Sequence, residues 1–298
     1  MINTVIQLLR LIRVHQWSKN LLIFVPLLVS PELENIFLWQ NLIFAFFAFS
    51  LCSSTSYIIN DIVDLSNDRD HPIKKFRPIA SGFFTRNLSI KFSILMGLMS
   101  LYLSILVSKL FCLVIVTYFI AAVLYSFKLK KIHIIDCVVL SFLYMMRIIA
   151  GAIAVNLNVS IWLLSFSLFF FFSFALLKRY SELLHHSSLS TSSFGRGYNK
   201  EDLPLVMSMG ISSALISILV IGLYFSDDVI YLNYHEPRIL FLFLPILLIW
   251  ICSIWSRVIK GVEVNDPISF ALTDKVSLII FFLSTAVFIM ARYEILSI

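Results

Sequence analysis

Long apolar runs recur along this chain, and polar residues collect in the short stretches between them. A run of about 20 apolar residues can cross a bilayer core of roughly 30 Å as a helix. The pattern predicts nine transmembrane helices, at residues 20 to 38, 41 to 60, 91 to 108, 110 to 127, 135 to 155, 161 to 177, 205 to 225, 237 to 256 and 275 to 294. The predicted fold is an all-α polytopic membrane protein with a single transmembrane domain over residues 1–298.

Composition supports a membrane protein and excludes two other classes. Of the 298 residues 60% are hydrophobic and 13% are charged, whereas soluble proteins average about 25% charged residues. The basic residues are scattered over short loops, which argues against nucleic-acid binding. The four cysteines show none of the spacings that bind zinc and are interpreted as packing residues.

The distribution of basic residues predicts the orientation. Most of the 23 lysines and arginines fall in the loops on one side of the predicted spans, and positively charged loops stay in the cytoplasm. We therefore expect a cytoplasmic amino terminus and an external carboxyl terminus. The first apolar run has no small-residue cleavage site, so we expect no removable signal peptide.

One segment, residues 60–82, combines acidic and basic residues at the exit from the second predicted span. Four oxygen-bearing side chains there lie at helical offsets of three and four: Asn60, Asp61, Asp64 and Asp68. On a helix they share one face, which suits a hard divalent cation such as Mg²⁺. Lys74, Lys75 and Arg77 follow closely, so the segment predicts a site for a metal-bound diphosphate.

A second polar group, with Lys178, Arg179 and Glu182, lies at the exit from the sixth span, four spans after the first. This spacing suggests two similar four-helix halves that face each other, plus a ninth helix. A third group surrounds the loop after the fourth span and includes Tyr125, near the end of that span. Arg147 lies inside a span, where an arginine is costly unless paired or hydrated; it is either a functional residue or the centre of a contact within the bundle.

The amino-terminal sequence RVHQWSKN precedes the first span. Gln16, Lys19 and Asn20 would hydrogen-bond an anionic headgroup or a substrate phosphate. The alternative is that this segment is an interfacial anchor whose basic side chains reach the membrane surface.

The acidic segment resembles the NDxxDxxxD signature of the UbiA superfamily of intramembrane prenyltransferases, and the following RPIASG strengthens the likeness. One departure is clear: the second aspartate-rich motif of members that use prenyl diphosphates is missing, and KRYSELL stands in its place. Five pieces, QWSKN, DRDHPIKKFRPIASG, YSFKLK, RIIAGAIA and KRYSEL, instead resemble the decaprenyl-phosphate phosphoribosyltransferase branch.

The resemblance implies transfer of 5-phosphoribose from phosphoribosyl diphosphate to a polyprenyl phosphate, with release of diphosphate. The product would be a lipid-linked precursor of cell-envelope glycans. The protein would lie in the bacterial cytoplasmic membrane with its active site facing the cytoplasm. The resemblance leaves open whether it forms an oligomer.

The same resemblance implies roles for individual residues. Catalysis and Mg²⁺ binding would fall to Asp61, Asp64 and Asp68, with Asn60 as a further metal ligand. Lys74 and Arg77 would bind phosphate oxygens, and Lys178 and Arg179 would bind the 5-phosphate or the ribose. Glu182 would orient Lys178 or hold a ribose hydroxyl. Gln16 and Lys19 would bind the lipid phosphate, and Tyr125 and Arg147 would contact substrate elsewhere in the site.

Two other functions are alternatives for a sequence of this kind. A prenyltransferase that joins a prenyl chain to an aromatic or haem acceptor would require the second acidic motif. A transporter or scaffold would fit the many spans, but its pathway would place polar residues near the membrane midplane, where only Arg147 qualifies.

Overall fold

The structure is a computed structural model that describes residues 2–70, 73–185, 197–264, 270–271 and 273–293. All regular secondary structure in these ranges is helical. The longer helices are α1 (Ile2–Leu11), α2 (Ile36–Val63), α3 (Arg86–Val107), α4 (Lys109–Phe127), α5 (Ile135–Ala154), α6 (Ile161–His185), α7 (Leu203–Phe225), α8 (Phe243–Ile259) and α9 (Lys275–Arg292).

Eight segments of the described chain are long and apolar enough to cross a membrane, and they correspond to α2 through α9. They match the second to ninth predicted spans. The first predicted span, 20 to 38, is a series of short pieces: a 3₁₀ helix at Val14–Phe24, a helix at Val25–Leu28 and a 3₁₀ turn at Pro31–Glu34. Its prolines lack the N–H that a continuous helix needs. The count of nine is therefore not confirmed, and the side of the amino terminus stays a prediction.

The chain divides into two compact units. The first comprises residues 1–139 and 146–158. Its central helix is α2, which packs against α3, α4 and the 3₁₀ helix Val14–Phe24. Small side chains allow this close approach: Ser50 and Ser53 are buried on α2, and the Ser100 hydroxyl of α3 donates to the Ala48 carbonyl at 2.7 Å.

The second unit comprises residues 140–145 and 159–298. Here α6 packs against α7, and α8 packs against both α7 and α9. Two tryptophans link the helices: the buried Trp255 donates from Nε1 to Ser173 Oγ at 3.2 Å, and the half-buried Trp250 donates from Nε1 to Ser277 Oγ at 2.9 Å. The predictions of a single domain and of two similar halves stay predictions.

The amino-terminal end of α9 is fixed by Asp274. Its carboxylate accepts from the Ser277 N–H at 2.9 Å, as an N-cap does, and from the Arg257 guanidinium at 2.7 Å. Burial acts to raise the pKa of Asp274, but the hydrogen bonds from Ser277 and Arg257 outweigh it and hold the pKa below its usual value. The charged form of this side chain therefore stabilises the folded protein.

Candidate active site

The acidic segment lies where α2 ends. Helical hydrogen bonding continues across the end of the helix, since the Asp64 N–H donates to the Asn60 carbonyl at 2.9 Å and the Asp68 N–H donates to the Asp64 carbonyl at 2.8 Å. A short helix at Leu65–Asp70 follows directly. The predicted helical spacing of these acidic residues is therefore present in the structure.

Two of the carboxylates share the Arg77 guanidinium. Arg77 Nη1 donates to Asp61 Oδ1 at 3.0 Å and to Asp68 Oδ2 at 2.6 Å. Asp61 also pairs with Arg13. Both aspartates are only 3% exposed, and a buried carboxylate without such partners would be strongly destabilising.

The third carboxylate, Asp64, faces Lys130. The ammonium group contacts both carboxylate oxygens, at 2.5 and 2.7 Å. Lys130 belongs to a 3₁₀ turn at Leu129–Lys131 that follows α4. The Asp64 side chain is 23% exposed, so this ion pair is more accessible to solvent than those of Asp61 and Asp68. Solvent screens the attraction between its charges.

The RPIASG motif is a turn that orients Arg77. The Ser81 N–H donates to the Arg77 carbonyl at 2.8 Å, and the Phe84 N–H donates to the Pro78 carbonyl at 3.0 Å. Gly82 has a φ of 81°, in the left-handed region that favours glycine. The motif therefore returns the chain toward the end of α2, where Arg77 reaches the aspartates.

Two members of this cluster, Arg13 and Lys130, were absent from the predicted site. Arg13 adopts a left-handed conformation, with φ 52° and ψ 48°, before the Val14–Phe24 helix. Its guanidinium also lies 5.1 Å from the centre of the Tyr57 ring. The sequence carried only a weak signal for them: Arg13 precedes QWSKN, and Lys130 ends YSFKLK.

Arg147 is at the centre of a buried polar network in the first unit. Its Nε donates to Asn20 Oδ1 at 2.9 Å and its Nη2 donates to the Tyr118 hydroxyl at 3.0 Å. The guanidinium also lies over the rings of Phe49 and Tyr118, at 5.3 and 5.1 Å from their centres. Asn20 in turn donates to Ser50 Oγ at 3.0 Å. Arg147 therefore ties the Val14–Phe24 segment to α4 and α2.

The other predicted substrate contacts in the first unit are Gln16, Lys19, Lys74 and Tyr125. Lys19 Nζ donates to Gln16 Oε1 at 3.4 Å, and Lys19 is only 9% exposed. Lys19 is thus not a side chain extended into solvent. Lys74 and Tyr125 are each half-buried.

In the second unit, Arg179 and Glu182 form an ion pair along α6. The Arg179 side chain is 2% exposed and that of Glu182 is 30% exposed. Lys178 is half-buried. Glu182 therefore contacts Arg179, one turn before it, and the predicted role toward Lys178 or a ribose hydroxyl stays a prediction.

The donor set of the acidic segment suits Mg²⁺, which prefers carboxylate and carbonyl oxygen. Within the described residues, no three His, Cys, Asp or Glu side chains converge as a metal cage does. The three aspartates instead face Arg13, Arg77 and Lys130. The donors fit the ion in their chemistry, and each would have to exchange a cationic partner for it.

Apolar helices long enough to cross a membrane, with a charged cluster at the end of α2, define a multi-pass membrane protein with a polar site. More specifically, the chain belongs to the UbiA prenyltransferase family, whose model matches residues 23–291. The predicted membership is confirmed.

Solved structures support the fold. A UbiA homolog from Archaeoglobus fulgidus bound to GPP and Mg²⁺ superposes with a TM-score of 0.68 at 16% identity, covering 94% of this chain and 99% of that one. A structure described as digeranylgeranylglyceryl phosphate synthase gives 0.66 at 18% identity, covering 97% and 98%. At these identities the likeness concerns the fold alone.

Relatives by sequence are of three kinds. The y4nM protein of Sinorhizobium fredii is 37% identical over 94% of this chain, which spans only 55% of that relative. The nodulation protein NoeC of Azorhizobium caulinodans is 31% identical, over 90% of this chain and 87% of NoeC. The decaprenyl-phosphate phosphoribosyltransferase of Mycobacterium tuberculosis is 32% identical over 61% of each chain.

Proposed function

We propose that this protein transfers 5-phosphoribose from phosphoribosyl diphosphate to a polyprenyl phosphate and releases diphosphate. The observation that carries the proposal is the cluster of alternating charge at the end of α2, where three aspartates face Arg13, Arg77 and Lys130. Its chemistry suits a metal-bound diphosphate. The choice of a phosphoribosyl donor is supported by the phosphoribosyltransferase relatives and by the missing second acidic motif.

The charges of the cluster suit a ligand that carries both signs. The carboxylates of Asp61, Asp64 and Asp68, with Asn60, would hold Mg²⁺. The released guanidinium of Arg77 would then take phosphate oxygens through its two-pronged donor geometry, with Lys74 beside it. Two unit charges 4 Å apart interact by about 4 kcal/mol at an effective dielectric constant of 20, so each exchange of partner involves a sizeable energy.

The reaction itself needs few groups. A phosphate oxygen of the lipid attacks the anomeric carbon of the ribose, and the bond from that carbon to the diphosphate oxygen breaks. Diphosphate leaves with the electron pair, and Mg²⁺ when bound would neutralise part of its charge. No general base is required, because the attacking phosphate is already ionised near neutral pH. The cations of the site offset the repulsion between the two anionic substrates.

The other predicted residues keep the roles that the resemblance implies. Gln16 and Lys19 are proposed contacts of the lipid phosphate; Lys19 is buried, Gln16 is half-buried, and the two side chains contact each other. The proposed contacts that await the same test are Tyr125, Arg147, Lys178, Arg179 and Glu182.

The test uses purified protein in detergent with Mg²⁺, radiolabelled phosphoribosyl diphosphate and a polyprenyl phosphate. Label that moves into the organic phase measures transfer. We expect transfer that is lost when Mg²⁺ is chelated. A parallel reaction contains a prenyl diphosphate and an aromatic acceptor; activity there, without phosphoribosyl transfer, would assign the protein to the prenyltransferases instead.

Aspartate variants test the cluster directly. Asp64→Asn and Asp61→Asn should each lower the transfer rate by about 100-fold or more, as loss of one key electrostatic group does. Asp70→Asn is the matched control, because Asp70 ends the short helix Leu65–Asp70 that directly follows Asp64 and is exposed. Equal rates for Asp64→Asn and Asp70→Asn would remove the acidic segment from the mechanism. Thermal unfolding of each variant shows whether it has folded.

A further inference from the structure

A second polar feature of the first unit lies on the other side of α2. It is an open groove of about 680 Å³ lined by Arg69 and Arg86 together with apolar side chains that include Ile62, Val63 and Phe127. Grooves of roughly 300–1,000 Å³ hold ligands of moderate size. This one joins two guanidinium groups to an apolar wall.

The groove is separate from the acidic cluster. In a helix with 3.6 residues per turn, Ile62, Ser66 and Arg69 follow one face. Asp61 and Asp64 follow a different face, on average about a third of a turn away, since each residue advances by about 100°. A ligand in the groove therefore lies beside the helix and does not face the carboxylates.

Among the residues that the structure describes, Arg69 and Arg86 have no charged or hydrogen-bonding partner. Both are exposed. Arg77, in contrast, is shared between two carboxylates. Arg86 is also the first residue of α3, where the helix dipole disfavours a cation and favours an anion. An anion between the arginines would satisfy both guanidiniums and this helix end.

The wall of the groove consists partly of exposed apolar residues. Val63 is 36% exposed, Ile90 is 38% exposed and Phe127 is 55% exposed. All three lie in or beside the ends of predicted membrane spans. In a membrane protein, surface of this kind contacts lipid chains. Arginines at the same depth contact lipid phosphates.

We propose that this groove binds an anionic phospholipid of the surrounding bilayer, with its phosphate between Arg69 and Arg86 and the start of an acyl chain along the apolar wall. The paired guanidiniums provide planar donors that match phosphate oxygens. A resident phospholipid is favoured over the polyprenyl phosphate substrate because the groove lies off the face that carries Asp61 and Asp64.

Native mass spectrometry of the delipidated protein, titrated with phosphatidylglycerol, tests the proposal. Each basic residue at an anionic lipid surface contributes about fivefold to binding, so Arg69→Gln/Arg86→Gln should weaken it by roughly 30-fold. The control Arg10→Gln/Lys91→Gln removes the same charge from two exposed residues that do not line the groove. An equal loss in both variants would mean general surface attraction and would overturn the proposal.

Two further ligands separate the alternatives. Phosphatidylcholine should bind more weakly than phosphatidylglycerol, and equal binding would exclude recognition of an anionic headgroup. Polyprenyl phosphate is the second ligand. If it bound more tightly than phosphatidylglycerol to the wild type but not to Arg69→Gln/Arg86→Gln, the groove would be a substrate site and the resident-lipid proposal would be refuted. If the glutamine variant does not fold, Arg69→Lys/Arg86→Lys replaces it and should weaken binding by losing the planar donors.

Discussion

Gly151, on α5, lies against the backbone of the Val14–Phe24 segment. A Cβ atom placed on it would lie 2.7 Å from the carbonyl carbon of Ile23 and 3.0 Å from its Cα, and still closer to its carbonyl oxygen. Carbon atoms pack best at about 3.5–4.0 Å. Gly151→Ala therefore requires the two backbones to separate by about 1 Å, because no flexible side chain can yield.

The size of the effect follows from two opposing terms. Overpacking of this kind typically costs about 1–3 kcal/mol, and more where backbone must move. Replacing a helical glycine by alanine returns about 0.5–1 kcal/mol. We therefore expect Gly151→Ala to be less stable than the wild type by about 1–2 kcal/mol or more.

Gly97 provides the matched control, since it also lies in the interior of a predicted span. A Cβ there would lie 3.6 Å from Thr55 Cγ2, an ordinary contact. Gly97→Ala should therefore raise the melting temperature, while Gly151→Ala should lower it. Thermal unfolding of the purified variants in one detergent measures both. A Gly151→Ala protein that melts at or above Gly97→Ala would refute the close approach of the two backbones.

The same variant tests whether the segment belongs to the active site. Asn20, on the displaced segment, donates to Ser50 and accepts from Arg147. A shift of about 1 Å in a substrate-positioning group can cost on the order of 10²-fold in rate. Transfer activity, measured well below the melting temperature, should therefore fall. Full activity in a destabilised Gly151→Ala protein would leave the segment with a structural role only.

Two further predictions concern stability. Arg147→Lys should lower stability by about 1–3 kcal/mol, because one ammonium group cannot replace the guanidinium between Asn20 and Tyr118; a melting temperature equal to the wild type would contradict this. The lowered pKa of Asp274 means that its charge stabilises the protein above the unfolded-state pKa of about 3.9 and that this stabilisation is lost as pH falls through the folded-state pKa. Asp274→Asn should therefore have a free energy of unfolding lower than the wild type near pH 7, by about 1 kcal/mol or less. The difference in melting temperature between the two proteins should disappear in acid. A difference that did not depend on pH would exclude the Arg257 ion pair as its cause.

The later spans were predictable because length and apolar composition alone decide whether a helix can cross a bilayer. The first span was not, because the same composition conceals what interrupts the helix. Pro26 and Pro31 remove backbone donors, and Lys19 and Asn20 are buried within the first unit. Apolar content reports that a segment avoids water, but it does not distinguish a lipid-facing helix from a segment packed against α2.

The active-site prediction has a similar limit. The aspartates could be grouped from sequence because their spacing of three and four residues is local. Their partners could not: Arg13 is 48 residues from Asp61, and Lys130 is 66 residues from Asp64. Such pairs depend on how α2 packs against α4 and the amino-terminal segment. Their only trace in the sequence is a basic residue beside or within a recognised motif.

The pairing of these charges also bears on how ligands would bind. Buried carboxylates such as Asp61 and Asp68 are costly without a counter-charge, and Arg77 pairs with both of them, with Arg13 as a second partner of Asp61. If the carboxylates exchanged Arg77 for a metal ion alone, the guanidinium would lose its partners. If Arg77 exchanged them for diphosphate alone, Asp68 would lose this counter-charge and Asp61 would keep only that of Arg13. Under the proposed function, the two ligands together would satisfy both signs, so each would favour binding of the other.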